Sequence, residues 1–255
     1  KMKRLFNTRI IPHNPILMGL CLVVIGILLF RDFDFSNNFY ETCDSGSCFT
    51  LVTGTGRAGT TALMILLTEL KLPTGFSVKD SRLINGKASR AGLETCTGVD
   101  SIECFRSGNF SGTKIFKSIT AAKFPVELSR AHDVFGSVIV LVRDSVINAS
   151  ASRAVQHSKG EIEGAFWDGV KNREEMIIKN SSLLANLLSA LEDSNMSHIY
   201  LSYPKYAYDV KYAYEKLFGD FGILHSYSID FREFLKVHKR VMKIQSGLVP
   251  PPYPP

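Results

Sequence analysis

A strand, a glycine turn and a helix start follow one another between Phe49 and Leu70, and that order leaves little choice of fold. Phe49-Thr50-Leu51-Val52-Thr53 is a short apolar and β-branched run, the pattern of a buried strand. Gly54-Thr55-Gly56-Arg57-Ala58-Gly59-Thr60-Thr61 comes next, and Ala62 to Leu70 reads as an apolar helix. Glycines at such a turn let the backbone approach a bound anion closely. The first turn of the helix adds N–H groups with no intrahelical partner, at the positive end of its dipole. The segment therefore predicts an α/β chain that cradles a phosphate.

Which phosphate depends on how the loop is aligned. Against G-x-x-x-x-G-K-[ST], Gly54, Gly59 and Thr61 fit, but Thr60 stands where the lysine that reaches the terminal phosphates must be, which argues against ATP or GTP chemistry. Against G-x-G-x-x-G, the match through Gly54, Gly56 and Gly59 is complete, and Asp80 lies near the position of a ribose-binding acid. Tyr212 and Lys216 add a Y-x-x-x-K pair of the kind found in short-chain dehydrogenases. An NADP(H)-dependent dehydrogenase is thus an alternative reading.

The third alignment fits best. Gly56-Arg57-Ala58-Gly59-Thr60-Thr61 resembles the 5′-phosphosulfate loop of the sulfotransferases that use 3′-phosphoadenosine 5′-phosphosulfate (PAPS). The resemblance implies that Thr60 and Thr61 donate to the 5′-phosphate. It implies that Arg57 faces the bridging oxygen, where negative charge grows as the S–O bond breaks. Ala58 departs from the serine usual in that loop. A second stretch, Gly136 to Asp144, is an apolar strand ending in Arg143. It resembles the family's 3′-phosphate site, an arginine at a strand end followed about eight residues on by a serine. Ser150 falls seven positions after Arg143 and Ser152 nine; Ser152 is favoured because a Ser-Arg pair commonly closes the motif, but both remain candidates.

Between these motifs, Thr113 to Lys117 reads as a strand whose terminal lysine matches the one that faces the sulfuryl group in many sulfotransferases. Ile119 occupies the place of the catalytic histidine of the cytosolic enzymes, so the base must be an acid. Gly92-Leu93-Glu94 resembles a segment of the Golgi and bacterial relatives, which makes Glu94 the first choice. Asp80 is second and His132 a distant third. The resemblance requires no metal, since arginine and lysine supply the positive charge.

The remaining chain frames this domain. Of the 255 residues, Lys1, Lys3, Arg4 and Arg9 precede an uncharged run from Ile10 to Phe30, long enough as a helix to span about 32 Å. Acids dominate after it, and the distribution predicts an N-terminus in the cytosol and a lumenal catalytic domain. The expected organisation is a cytoplasmic tail at 1–9, a transmembrane signal anchor at 10–30, a stem at 31–48, the sulfotransferase domain at 49–243 and a Pro-rich tail at 244–255. Outside the span, Cys43 with Cys48 and Cys96 with Cys104 form two close pairs, as suits an oxidising compartment. Asn109, Asn148, Asn180 and Asn195 are glycosylation sequons. The net charge of +6, with cations crowded between Arg232 and Lys243, suits either an anionic polysaccharide or a solvated helix face. No nucleic-acid motif is present.

Strands are expected at 49–53, 113–117, 137–142 and 198–202, and helices at 61–71, 120–132, 148–158, 162–192 and 206–218. This alternation predicts a three-layer α/β fold, a central parallel sheet flanked by helices with both anion loops at strand C-terminal ends. The expectation is a P-loop-like sulfotransferase of a Golgi-like membrane that acts on a hydroxyl or amine, most simply on a glycan. A membrane-anchored nucleotide- or glycan-binding protein without turnover is the remaining alternative.

Overall fold

The protein is seen in a computed structural model that describes residues 49–54, 58–80, 93–96, 101–119, 125–143, 173–194 and 196–246. The apolar run at 10–30, the stem with Cys43 and Cys48, and the helix expected at 148–158 lie outside the described residues. Among those described, no helix is long and apolar enough to cross a membrane.

Four parallel strands form one sheet in the order β2-β1-β3-β4. They are β1 (Phe49–Gly54), β2 (Ile115–Lys117), β3 (Phe135–Arg143) and β4 (Ser197–Tyr203). Alternate residues of the two central strands feed two separate cores. Val52, Ile139 and Leu141 face one cluster with Leu201, while Leu51, Val138 and Val140 face another with Phe116, Leu187 and Leu191. Burial on both faces is why these strands read as continuous apolar runs rather than alternating ones.

Helices cover both faces. The first core is closed by α1 (Thr60–Glu69), α5 (Lys205–Tyr208), α6 (Val210–Phe218) and α7 (Phe231–Ser246), the second by α2 (Ser101–Ser107), α3 (Pro125–Ser129) and α4 (Arg173–Glu192). Every residue of α1 from Ala62 to Glu69 is buried, as expected of a helix that is apolar all round. Across its outer side, α7 reaches it through an ion pair, Arg240 Nη2 to Glu69 Oε2 at 2.6 Å.

Several expected elements differ, each for a local reason. β2 is shorter than 113–117 because the amides of Lys114 and Ile115 both donate to the Pro73 carbonyl (2.7 and 3.0 Å). The helix at 120–132 is described only as α3, with proline at its first position, where a missing N–H costs nothing. The helix expected at 206–218 is two helices. Asp209 leaves helical geometry (φ −98°, ψ 91°) and its carboxylate accepts the Tyr212 amide, capping α6. α1 stops at Glu69, and Lys71 turns left-handed at φ 62°. Helix α2 was not expected, and α7 runs on to Ser246, into the stretch read as tail. Of the sequons, Asn109 is exposed, whereas Asn180 is buried in α4 and has no room for a glycan in this packing.

The second core depends on a knot of rings. Phe116 meets Phe49, Phe105 and Phe110 with centroids 4.8, 5.3 and 4.9 Å away. Phe116→Ala is expected to destabilise the protein by about 3–5 kcal/mol, read as a lowered midpoint in denaturant unfolding. A change below about 1 kcal/mol would mean the ring cluster contributes little.

Candidate functional site

Strand order locates the site. β1 has β2 on one side and β3 on the other, so the chain leaves the C-terminal ends of β1 and β3 in opposite directions. Such a switch point opens a crevice where α/β proteins bind ligands. The expected anion loop and Arg143 stand at the ends of those two strands.

Close packing fixes the two glycines that flank the loop between β1 and α1. Gly54 lies against β3, where a Cβ would come within 2.6 Å of the Leu141 carbonyl oxygen. Gly59 caps α1 with a left-handed backbone (φ 85°) and offers no side-chain cap, so the first N–H groups of the helix are left for another acceptor. No acid lies in that first turn to compete. A Cβ on Gly59 would sit 2.7 Å from both the Tyr203 ring and the Tyr206 hydroxyl. Thr60 and Ala58 are buried, and the Ala58 methyl belongs to the first core, so this position serves packing. Gly56 and Arg57 lie outside the described residues.

Lys117 ends β2 with its side chain fully buried. Its Nζ donates to Thr61 Oγ1 at 2.9 Å and lies 4.0 Å from Glu94 Oε2. The other carboxylate oxygen, Glu94 Oε1, accepts the Ile119 amide at 2.6 Å. Three expected residues, Thr61, Lys117 and Glu94, are therefore neighbours although distant in sequence. The buried ammonium thus lies beside the positive end of a helix, with the Glu94 carboxylate as a nearby counter-charge. Thr53 ties the same strand ends together through Ser118, its hydroxyl donating to the Ser118 carbonyl at 2.6 Å.

Asp80 is placed differently. It is exposed, and its carboxylate accepts both the amide and the hydroxyl of Ser77 (2.8 and 2.7 Å). The Ser77 hydroxyl and amide hold its carboxyl below the usual 3.8. It acts as a local cap, as a helix start would use it. His132, the third choice, is also exposed.

Arg143 lies over the Tyr203 ring, 5.3 Å from its centroid, and the two residues are register partners. The same ring lies against Gly59, so one tyrosine adjoins both Gly59 and Arg143. Ser150 and Ser152 lie outside the described residues. Tyr212, half of the Y-x-x-x-K pair, uses its hydroxyl to accept the Ser202 amide at 3.1 Å. Among the described residues, no group of three His, Cys, Asp or Glu could hold a metal.

Sequence reasoning missed Tyr203 and Tyr206. The tyrosine-rich stretch from Tyr200 to Tyr214 was the available signal, but the spacing does not say which ring turns toward the loop. Tyr206 donates to the Gly59 carbonyl at 2.7 Å. Burial pushes its phenol well above 10.0, which keeps the donor proton in place. Beneath it, His238 Nε2 donates to the Tyr206 carbonyl at 2.8 Å, so this nitrogen carries the proton.

Burial holds the His238 imidazole below its ordinary 6.5, the bond to Tyr206 opposing only in part. The unfolded chain therefore takes up this proton at higher pH than the folded one. The stabilisation is complete above about 6.5 and is lost as pH falls from there to the lowered folded value. Denaturant midpoints should drop over that window. His238→Gln, whose amide can still donate to the Tyr206 carbonyl, should lose less; equal acid sensitivity in both proteins would contradict this role.

No protein-family model matches this chain, and no curated protein matches it.

Proposed function

We propose that this protein is a PAPS-dependent sulfotransferase with a P-loop-like fold. In this reading, residues 10–30 anchor it in a Golgi-like membrane, with the catalytic domain in the lumen, and the acceptor is a glycan hydroxyl or amine. The observation that carries the reading is the buried Lys117 ammonium, bonded to Thr61 in the first turn of α1 and adjoined by Glu94. An oxyanion at that point would meet helix N–H groups, a threonine hydroxyl and a cation with little competing water.

The chemistry follows from these roles. The acceptor's oxygen or nitrogen attacks sulfur in line as the bond to the bridging oxygen breaks. Arg57 and Lys117 stabilise the charge left on adenosine 3′,5′-bisphosphate. Glu94, the acid beside Lys117, takes the acceptor's proton. Asp80 is the weaker choice, because Ser77 holds it in the charged form at the surface. Arg143, steadied by Tyr203, grips the 3′-phosphate together with Ser150 or Ser152.

Two stops for a nucleotide imply a preference for two phosphates. Calorimetry should give much tighter binding of adenosine 3′,5′-bisphosphate than of AMP or NADP(H), and Arg143→Ala should bring the first toward the second. Equal affinity for AMP in the wild-type protein would remove the 3′-phosphate site.

Contacts that matter only while the bond breaks act on turnover. Arg57→Ala should lower kcat by about 10²–10³ with a smaller loss of nucleotide affinity. Glu94→Gln should abolish transfer and leave affinity nearly intact. Wild-type turnover in Glu94→Gln, with loss in Asp80→Asn, would move the base to Asp80.

A further inference from the structure

Glu94 reaches the site from the described stretch 93–96, which forms neither helix nor strand. The stretch 93–96 meets the end of β2 through three hydrogen bonds. The Thr95 amide donates to the Lys117 carbonyl at 2.9 Å, the Ser118 hydroxyl to the Cys96 carbonyl at 3.3 Å, and the Ile119 amide to Glu94. Both end residues, Leu93 and Cys96, hold left-handed backbone, with φ of 57° and 56°. Residues with a Cβ adopt that conformation at a cost, and keep it where the surroundings over-determine it.

The surroundings include a covalent tie. Cys96 is disulfide-bonded to Cys104, with their Cα atoms 5.8 Å apart. Cys104 belongs to α2, which is itself fixed to the sheet. Its Phe105 packs on Phe116 and Phe135 at 5.3 and 5.0 Å, and its Arg106 pairs with Asp133 at 3.0 Å. A rigid helix thus holds Cys96 by a bond, and Cys96 lies two positions from Glu94.

We infer that the Cys96–Cys104 disulfide is the positioning element that holds the Glu94 carboxylate against Lys117, which makes the site depend on the redox state of this bond. Cys104 is exposed, so a small dithiol can reach it. A reductant thiolate attacks one sulfur and its second thiol displaces the resulting mixed disulfide. Two electrons and two protons pass to the protein, leaving two cysteine thiols and the oxidised dithiol. Without the tie, the left-handed backbone at Cys96 relaxes, Glu94 leaves the Ile119 amide, and its carboxylate moves away from the buried ammonium. The consequence for turnover rests on the sulfotransferase reading; the structural consequence does not.

The test compares the full chain, the same chain treated with dithiothreitol, and the double variant Cys96→Ser/Cys104→Ser. Amide hydrogen exchange at Thr95 and Ile119 should rise by roughly tenfold or more in both altered forms, with Val52 and Val140 unchanged. Transfer should fall as it does in Glu94→Gln with the disulfide intact, while affinity for adenosine 3′,5′-bisphosphate stays within about twofold. Unchanged exchange at Thr95 and Ile119 would overturn the inference. So would a uniform rise that includes Val52 and Val140, because the bond would then be a general staple. If exchange responds as stated but the wild-type protein neither binds the bisphosphate nor transfers sulfate, the sulfotransferase reading fails and the positioning role stands.

Discussion

A lysine ammonium withdrawn from water is the constraint around which the C-terminal edge of this sheet is organised. Burying an unpaired charge costs several kcal/mol, so Lys117 needs partners wherever it is placed. Thr61 supplies a hydroxyl from the helix that follows β1, and Glu94 supplies a carboxylate from the stretch 93–96. Each partner brings its own demands. Thr61 must sit in the first turn of α1, and Glu94 must be held through the Ile119 amide and the neighbouring disulfide. One carboxylate opposes both a lysine and the positive end of a helix, which leaves an environment suited to an anion.

The surroundings of Gly59 are built from rings. Tyr206 fills the space beside Gly59 and holds its carbonyl, and Tyr203 lies between Gly59 and Arg143. Behind them, α7 contributes His238 to the Tyr206 carbonyl and Arg240 to Glu69 at the far end of α1. Helix α7 therefore braces both ends of α1. A glycine is required at 59 twice over, by its left-handed backbone and by two aromatic neighbours.

Local pattern was enough for the parts built from contiguous sequence. The run Phe49 to Thr53 and the run Ser137 to Val142 announce central strands because both their faces are buried, and the glycines after β1 announce the turn. Lys117 was legible as a strand-end residue. What could not be read was convergence: nothing in the spacing of Thr61, Glu94 and Lys117 says that their side chains meet. The shortened β2 depends on the Pro73 carbonyl, which competes from another part of the chain. The break at Asp209 was readable in principle, since aspartate is a favoured helix cap, but the flanking tyrosine-rich sequence keeps a helical period across it. Asp80 shows the opposite failure, an acid at a suggestive distance from a glycine loop whose carboxylate caps its own turn.

The central claim is that the site formed by Thr61, Glu94 and Lys117 serves sulfuryl transfer from PAPS. Incubating the protein with radiolabelled PAPS and a panel of glycans, tyrosine peptides and lipids tests it most directly. The account predicts label on a hydroxyl or amine of one acceptor class, with adenosine 3′,5′-bisphosphate released in equal amount. Failure to bind PAPS, together with binding of NADP(H) and a nicotinamide-dependent change in absorbance, would contradict it.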